Sequence, residues 1–155
     1  MIKKLSAFLF ILATTACSPA EDQTPQETPA APNVAIEDKT FSFDAASLKP
    51  GCDEDSEIVC AVNLNAKCTL NPHFSECQKG LVPNFVFMED ESLGRPTRLS
   101  YKLQKIKPIN AEMIEVHTVG TCDGNWFGLC QGNIIYVMAP RDGRWVVKDI
   151  YALGN

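Results

Sequence analysis

Histidine is scarce in this chain: His73 and His117 are the two among 155 residues. They stand too far apart for the one-turn spacing of a helical zinc site. No Gly-x-Ser-x-Gly elbow and no phosphate loop occurs, so the common sequence signatures of hydrolases and nucleotide enzymes are missing. Close cysteine pairs of the C-x2-C kind are missing too, which argues against structural zinc. Positive charge is in short supply. The whole chain carries −5. Removing residues 1 to 16 takes Lys3 and Lys4 and no acid, leaving twelve basic against nineteen acidic side chains, about −7. That balance opposes nucleic acid and anionic lipid as partners.

The chain opens MIKKLSAFLFILATTAC. Lys3 and Lys4 precede an apolar run from Leu5 to Ala13. The run suits the core of a secretory signal and is too short to span a bilayer. No second long apolar run follows, so no transmembrane helix is expected. Thr14-Thr15-Ala16-Cys17 resembles the lipobox of bacterial lipoproteins, with Thr14 where leucine is usual. The resemblance implies a signal peptide over 1–16 and a lipid, palmitate included, on Cys17. Ser18 after the cysteine implies a periplasmic protein anchored to the outer membrane. Ordinary cleavage after Ala16, giving a soluble periplasmic protein, is the alternative. Residues 18–33, SPAEDQTPQETPAAPN, are rich in proline and acids and poor in bulky apolar groups. Such a segment cannot offset its ordering entropy, so 17–35 reads as a lipidated cysteine on a disordered tether. Residues 36–155 then form one domain of ordinary size.

Six further cysteines, Cys52, Cys60, Cys68, Cys77, Cys122 and Cys130, form an even set in an exported domain and read as three disulfides. Fifteen pairings exist. Local pairing ranks first, with 52–60, 68–77 and 122–130. The last is the firmest, because both cysteines bracket one inter-strand loop. An exchange among the first four stays open.

The fold class expected is α+β: two or three short helices, then a four-stranded antiparallel curved sheet, stapled by disulfides. TFSFDAA, residues 40–46, suits a short strand or an entry segment. A helix is expected from about Asp55 to Cys68, with acids at its positive end. HFSECQKGL suggests a second helix stopped by Gly80, and VPNFVFM a third helix or a strand. Beyond Pro96 the apolar period becomes two. TRLSYKLQKI, EMIEVHTV, NIIYVMA and RWVVKDIYAL read as strands, with a turn at Pro108-Ile109-Asn110 and a hairpin at Asp142-Gly143. The last two strands are apolar on both faces, so the second face must meet a curl of the sheet, a ligand or another subunit. This element order and the closing GRWVVKDIYAL resemble the nuclear transport factor two-like cone fold over roughly residues 53–152. The resemblance implies a concavity between helices and sheet, and leaves a homodimer open.

Candidate binding residues lie in TCDGNWFGLCQGN: Asp123, Asn125, Trp126 and Phe127. A bridge that rigidifies a loop lowers the ordering cost of binding, and a Trp–Phe pair is hot-spot chemistry. The alternative is a stapled turn whose aromatics fold into the core. Asp123 and Asn125 lack the remaining ligands of a calcium loop. No metal and no cofactor is expected. Cone-fold enzymes resembling ketosteroid isomerase or scytalone dehydratase use acid/base groups inside the cavity. The candidates here are Asp149, His117, Tyr101, Tyr136 and Tyr151. Asp149 alternates with Lys148 and His117 follows Glu115, so both read more simply as surface groups, and no catalytic residue is assigned. The acidic runs Asp53-Glu54-Asp55 and Glu89-Asp90-Glu91 read as solvated, or as an anchor for a basic partner. The functional expectation is a non-catalytic envelope binding module with a protein partner, of the immunity or enzyme-inhibitor kind. The alternatives are an enzyme or small-ligand carrier using the cavity, and an envelope-assembly lipoprotein.

Overall fold

A computed structural model describes residues 39–88, 94–124, 126 and 129–153. The signal segment, Cys17, the tether, the Glu89-Asp90-Glu91 run, Asn125 and Phe127 lie outside the described residues. The order is β1 (Thr40–Asp44), α1 (Glu57–Leu70), β2 (Arg98–Asn110), β3 (Met113–Cys122), β4 (Gly132–Arg141) and β5 (Arg144–Leu153). The strands form one antiparallel sheet in the order β1-β2-β3-β4-β5. Among the described residues no helix is long and apolar enough to cross a membrane.

The mixed α+β class holds, with one α-helix and five strands among the described residues in place of two or three helices and four strands. TFSFD supplies the fifth strand. Phe41 and Phe43 point inward and stack on Tyr101, their ring centroids 5.0 and 6.4 Å from it. The HFSECQKGL stretch is a chain of turns. Pro72 breaks the helical path, the Asn71 side chain caps the turn by accepting from the His73 amide, and the Cys68–Cys77 bridge folds the segment back onto the end of α1. VPNFVFM holds a single 3-10 turn over Asn84–Phe87. The β2–β3 turn also lies further on than expected. Pro108 sits inside β2, opposite Ile114, and β2 ends at Asn110. β1 pairs only with residues 98–102 of β2, so Pro108 occupies an edge where no ladder donor is needed. Asp142 and Gly143 both have positive φ, 51° and 76°, as a type I′ hairpin turn requires.

Ser56 caps α1, its hydroxyl accepting from the Val59 amide at 3.4 Å. The helix is buried on most sides, polar residues included. Ile58, Val62 and Ala66 join the main core with the inner face of the sheet, represented by Tyr101, Val116, Tyr136 and Met138. On the other side Cys68 and Leu64 meet a second cluster with Val82, Val86, Phe85 and Phe87. The domain is therefore three layers: sheet, helix and the irregular 71–88 segment. Two buried polar side chains are satisfied internally. The Tyr101 hydroxyl donates to Asn63 Oδ1 at 2.7 Å, and the Lys67 ammonium donates to the carbonyls of Lys49 and Gly51. Asn65 Oδ1 is buried with no hydrogen-bond partner among the described residues.

The bridges are local: Cys52–Cys60, Cys68–Cys77 and Cys122–Cys130. Three disulfides in one small domain belong to an oxidising, extracytoplasmic compartment.

Candidate functional site

The loop closed by Cys122–Cys130 turns inward. Trp126 is 1% exposed and belongs to the main core. The Arg95 guanidinium lies 4.0 Å from its ring centroid, a cation–π stack in a poorly solvated setting. The same guanidinium donates to the carbonyl of Thr69 at 2.8 Å, one of the last carbonyls of α1, which have no partner within the helix. Its other nitrogen donates to the carbonyls of Val86 and Met88, each at 3.1 Å. Arg95 thus joins the helix end, the 3-10 turn and the loop tryptophan. Gly124 permits this closeness, since a Cβ there would stand 2.6 Å from the Gly94 carbonyl oxygen. Of the two arrangements the sequence leaves open for Trp126, the structure has the inward one, with the indole in the core.

Asp123 is exposed but fully employed in the turn. Its Oδ1 accepts from the amides of Thr97 and Arg98 at 2.8 and 2.9 Å, and its Oδ2 from the Thr97 hydroxyl at 2.6 Å. These bonds, the hydroxyl first, hold its carboxyl at about 2, below the usual 3.8. The same bonds pin the loop to the start of β2. Asn125 and Phe127 lie outside the described residues.

The acid/base candidates do not converge. Tyr101 and Tyr136 face the core, where burial raises both phenols well above their ordinary range. Asp149 is exposed on β5, and its carboxylate accepts from the Ile150 amide at 2.8 Å. His117, Glu115 and Tyr151 do meet, on the outer face of the sheet. Glu115 takes His117 Nε2 at 3.0 Å and the Tyr151 hydroxyl at 2.9 Å, with Lys107 at 3.8 Å. The His117 hydrogen bond, then that of Tyr151, lowers the Glu115 carboxyl, and the carboxylate in turn raises the Tyr151 phenol. The space between α1 and the sheet is occupied by Tyr101, Tyr136, Trp126, Ile58 and Val62, so the expected concavity is filled with side chains. Among the described residues no cluster of three or more histidine, cysteine, aspartate or glutamate side chains could hold a metal ion.

An open groove of about 550 Å³ lies elsewhere, between α1, the 75–81 segment and the start of β5. Its buried base is Ala61, Trp145 and Val146, extended by half-buried Leu64 and Leu81. Around this base stand Glu54, Asp55, Glu57 and Glu76, with Arg144 beside them. Lys67 also reaches the wall, but its ammonium is spent on the two loop carbonyls. Glu76 accepts from the Gly51 amide at 2.9 Å, and Glu54 pairs with Lys39 at 2.6 Å, which fixes both carboxylates at the rim. The Cys52–Cys60 bridge forms part of the wall. The acidic run was visible in the sequence. Its meeting with Glu76, Leu81 and Trp145 was not, because those residues arrive from separate parts of the chain. An apolar base within a ring of carboxylates has the chemistry to accept a cation carried on an apolar stem. Compared with known proteins, the chain matches no family model, no curated protein and no solved structure.

Proposed function

We propose that this protein is a small exported lipoprotein, held at the outer membrane by a lipid on Cys17, that acts as a non-catalytic binding module in the envelope. Its partner is a basic protein, and the module is of the immunity or enzyme-inhibitor kind. The observation that carries this reading is the acid-ringed groove beside α1. A lysine or arginine inserted there would lay its methylenes on Leu64, Leu81 and Trp145 and set its charge among Glu54, Asp55, Glu57 and Glu76. Two features support binding over chemistry. The acid/base candidates are divided between the core and the outer sheet face, and the interior is occupied by packed side chains.

The test is capture from periplasmic extract by the mature chain, with Glu57→Gln/Glu76→Gln in parallel. The expected result is a basic protein retained by the wild type, released by salt, and bound at least tenfold more weakly by the double variant, the loss of roughly 1.4 kcal/mol or more. Retention of the same protein by both forms would exclude the groove. Turnover of a small molecule, abolished by a change at Tyr101 or Asp149, would replace the reading with an enzymatic one.

A further inference from the structure

The net negative charge of the chain conceals a segregation. On the outer face of the sheet, register aligns Lys102 with Val119 and Leu153, Lys105 with His117 and Tyr151, and Lys107 with Glu115 and Asp149. All three lysines are exposed and form one column along β2. Across the same face apolar groups are exposed, Val119 at 36% on β3 next to the column, and Tyr151 at 36% and Leu153 at 47% on β5, the strand that also carries Asp149. Of the two acids on these rows, Glu115 is engaged by His117, Tyr151 and Lys107, and Asp149 stands at the far strand, accepting from Ile150. The acid-ringed groove is built on α1, on the other side of the sheet.

We propose that this lysine-bearing face rests on an anionic bilayer surface. Lysines beside exposed aliphatic and tyrosine side chains are the chemistry of an interfacial surface. The ammonium groups meet lipid phosphates while the apolar groups enter the headgroup boundary. The path of the chain adds an independent argument. β1 begins at Thr40, directly opposite Lys102. The described chain therefore joins the sheet beside the lysine column, and a flexible tether from Cys17 would leave this face free to reach the membrane. In that orientation the groove on α1 points away from the bilayer. The inference does not depend on what the groove binds.

The test uses the mature chain carrying Cys17→Ala, so that no acyl chain contributes. It is sedimented with vesicles of phosphatidylcholine alone and of phosphatidylcholine mixed with phosphatidylglycerol. Binding is expected only to the mixed vesicles and should fall as salt is added. Lys102→Gln/Lys105→Gln/Lys107→Gln should weaken it on the order of a hundredfold, with a melting curve matching the parent to show an intact fold. Val119→Ser/Leu153→Ser should weaken it as well. Failure of the parent to prefer phosphatidylglycerol, or equal binding by the triple variant, would overturn the proposal. So would a dimer in sedimentation velocity that the triple variant dissociates without any lipid preference, because the face would then belong to a second copy.

Discussion

Replacing Trp126 by alanine tests the inward turn of the Cys122–Cys130 loop most directly. The indole is 1% exposed and contributes to the main core. Emptying a buried tryptophan site costs roughly 3–5 kcal/mol. The Arg95 stack at 4.0 Å adds about 1–2 kcal/mol in so dry a setting. Together these approach the whole stability of a typical domain, about 5–15 kcal/mol. A domain of this size loses about 3–6 °C of melting temperature per kcal/mol, so Trp126→Ala should melt at least about 10 °C lower or fail to fold. The assay is thermal and urea unfolding followed by circular dichroism with the disulfides intact. Arg95→Gln, alone and combined with Trp126→Ala, completes a double-mutant cycle. Its coupling should exceed about 0.5 kcal/mol if the stack holds in solution. A loss below about 1 kcal/mol for Trp126→Ala, with an unaltered urea slope, would mean that the indole lies outside the core, and the placement argued above would be wrong.

Asp123 sets an acid limit. Its carboxyl is held at about 2 against an ordinary 3.8, so the folded state favours the ionised form. Its contribution is fully present above pH 3.8 and is lost as pH falls through about 2. Asp123→Asn should therefore flatten the fall in melting temperature over that window, and an unchanged acid profile would refute the assignment. Tyr101→Phe removes the hydroxyl that donates to buried Asn63 and should cost about 1–3 kcal/mol, whereas Tyr101→Phe with Asn63→Leu should recover part of it; urea unfolding measures both. Cys17→Ala should move the protein from the membrane fraction to the soluble periplasm, and a parent that takes up no fatty-acid probe would end the lipoprotein reading.

What could be read from the sequence was whatever local periodicity encodes. The alternation from Arg98 onward, the Asp142-Gly143 hairpin and the helix, expected from about Asp55 to Cys68 and found over Glu57–Leu70, are each set by residues a few positions apart. Local cysteine pairing was legible for the same reason. Misreadings fell where distant contacts overrule propensity. Residues 73–81 carry a helical pattern, yet Pro72 and the bridge to Cys68 fold them into turns. TFSFD by itself suits either a short strand or an entry segment, and it is Tyr101 that supplies the surface for its phenylalanines. Trp126, between Gly124 and Gly128 in a loop bracketed by Cys122 and Cys130, looks the same from sequence whether it points in or out. The deciding residue is Arg95, whose neighbours Gly94 and Pro96 suggest only a turn.

Among the described residues, the irregular segment 71–88 is fastened by groups from elsewhere in the domain. Segment 71–88 has no sheet ladder to satisfy its backbone groups beyond a single bridge between Lys79 and Val82. Side chains from elsewhere take over. Arg95 binds the carbonyls of Val86 and Met88, Arg141 binds that of Gly80 at 2.9 Å, and Cys77 is tied to the end of α1. Charge-assisted bonds of this kind are about twice as strong as neutral ones, and the disulfide restricts the unfolded chain. The segment carries Glu76 and Leu81, one wall of the acidic groove, while the Cys52–Cys60 bridge steadies the opposite wall. A groove bounded by loops would ordinarily have to be ordered when its partner arrives, and that ordering weakens binding. Here two disulfides and two arginines hold the walls beforehand. The same fastenings that replace regular structure in a small exported domain therefore also preorganise the surface proposed to bind.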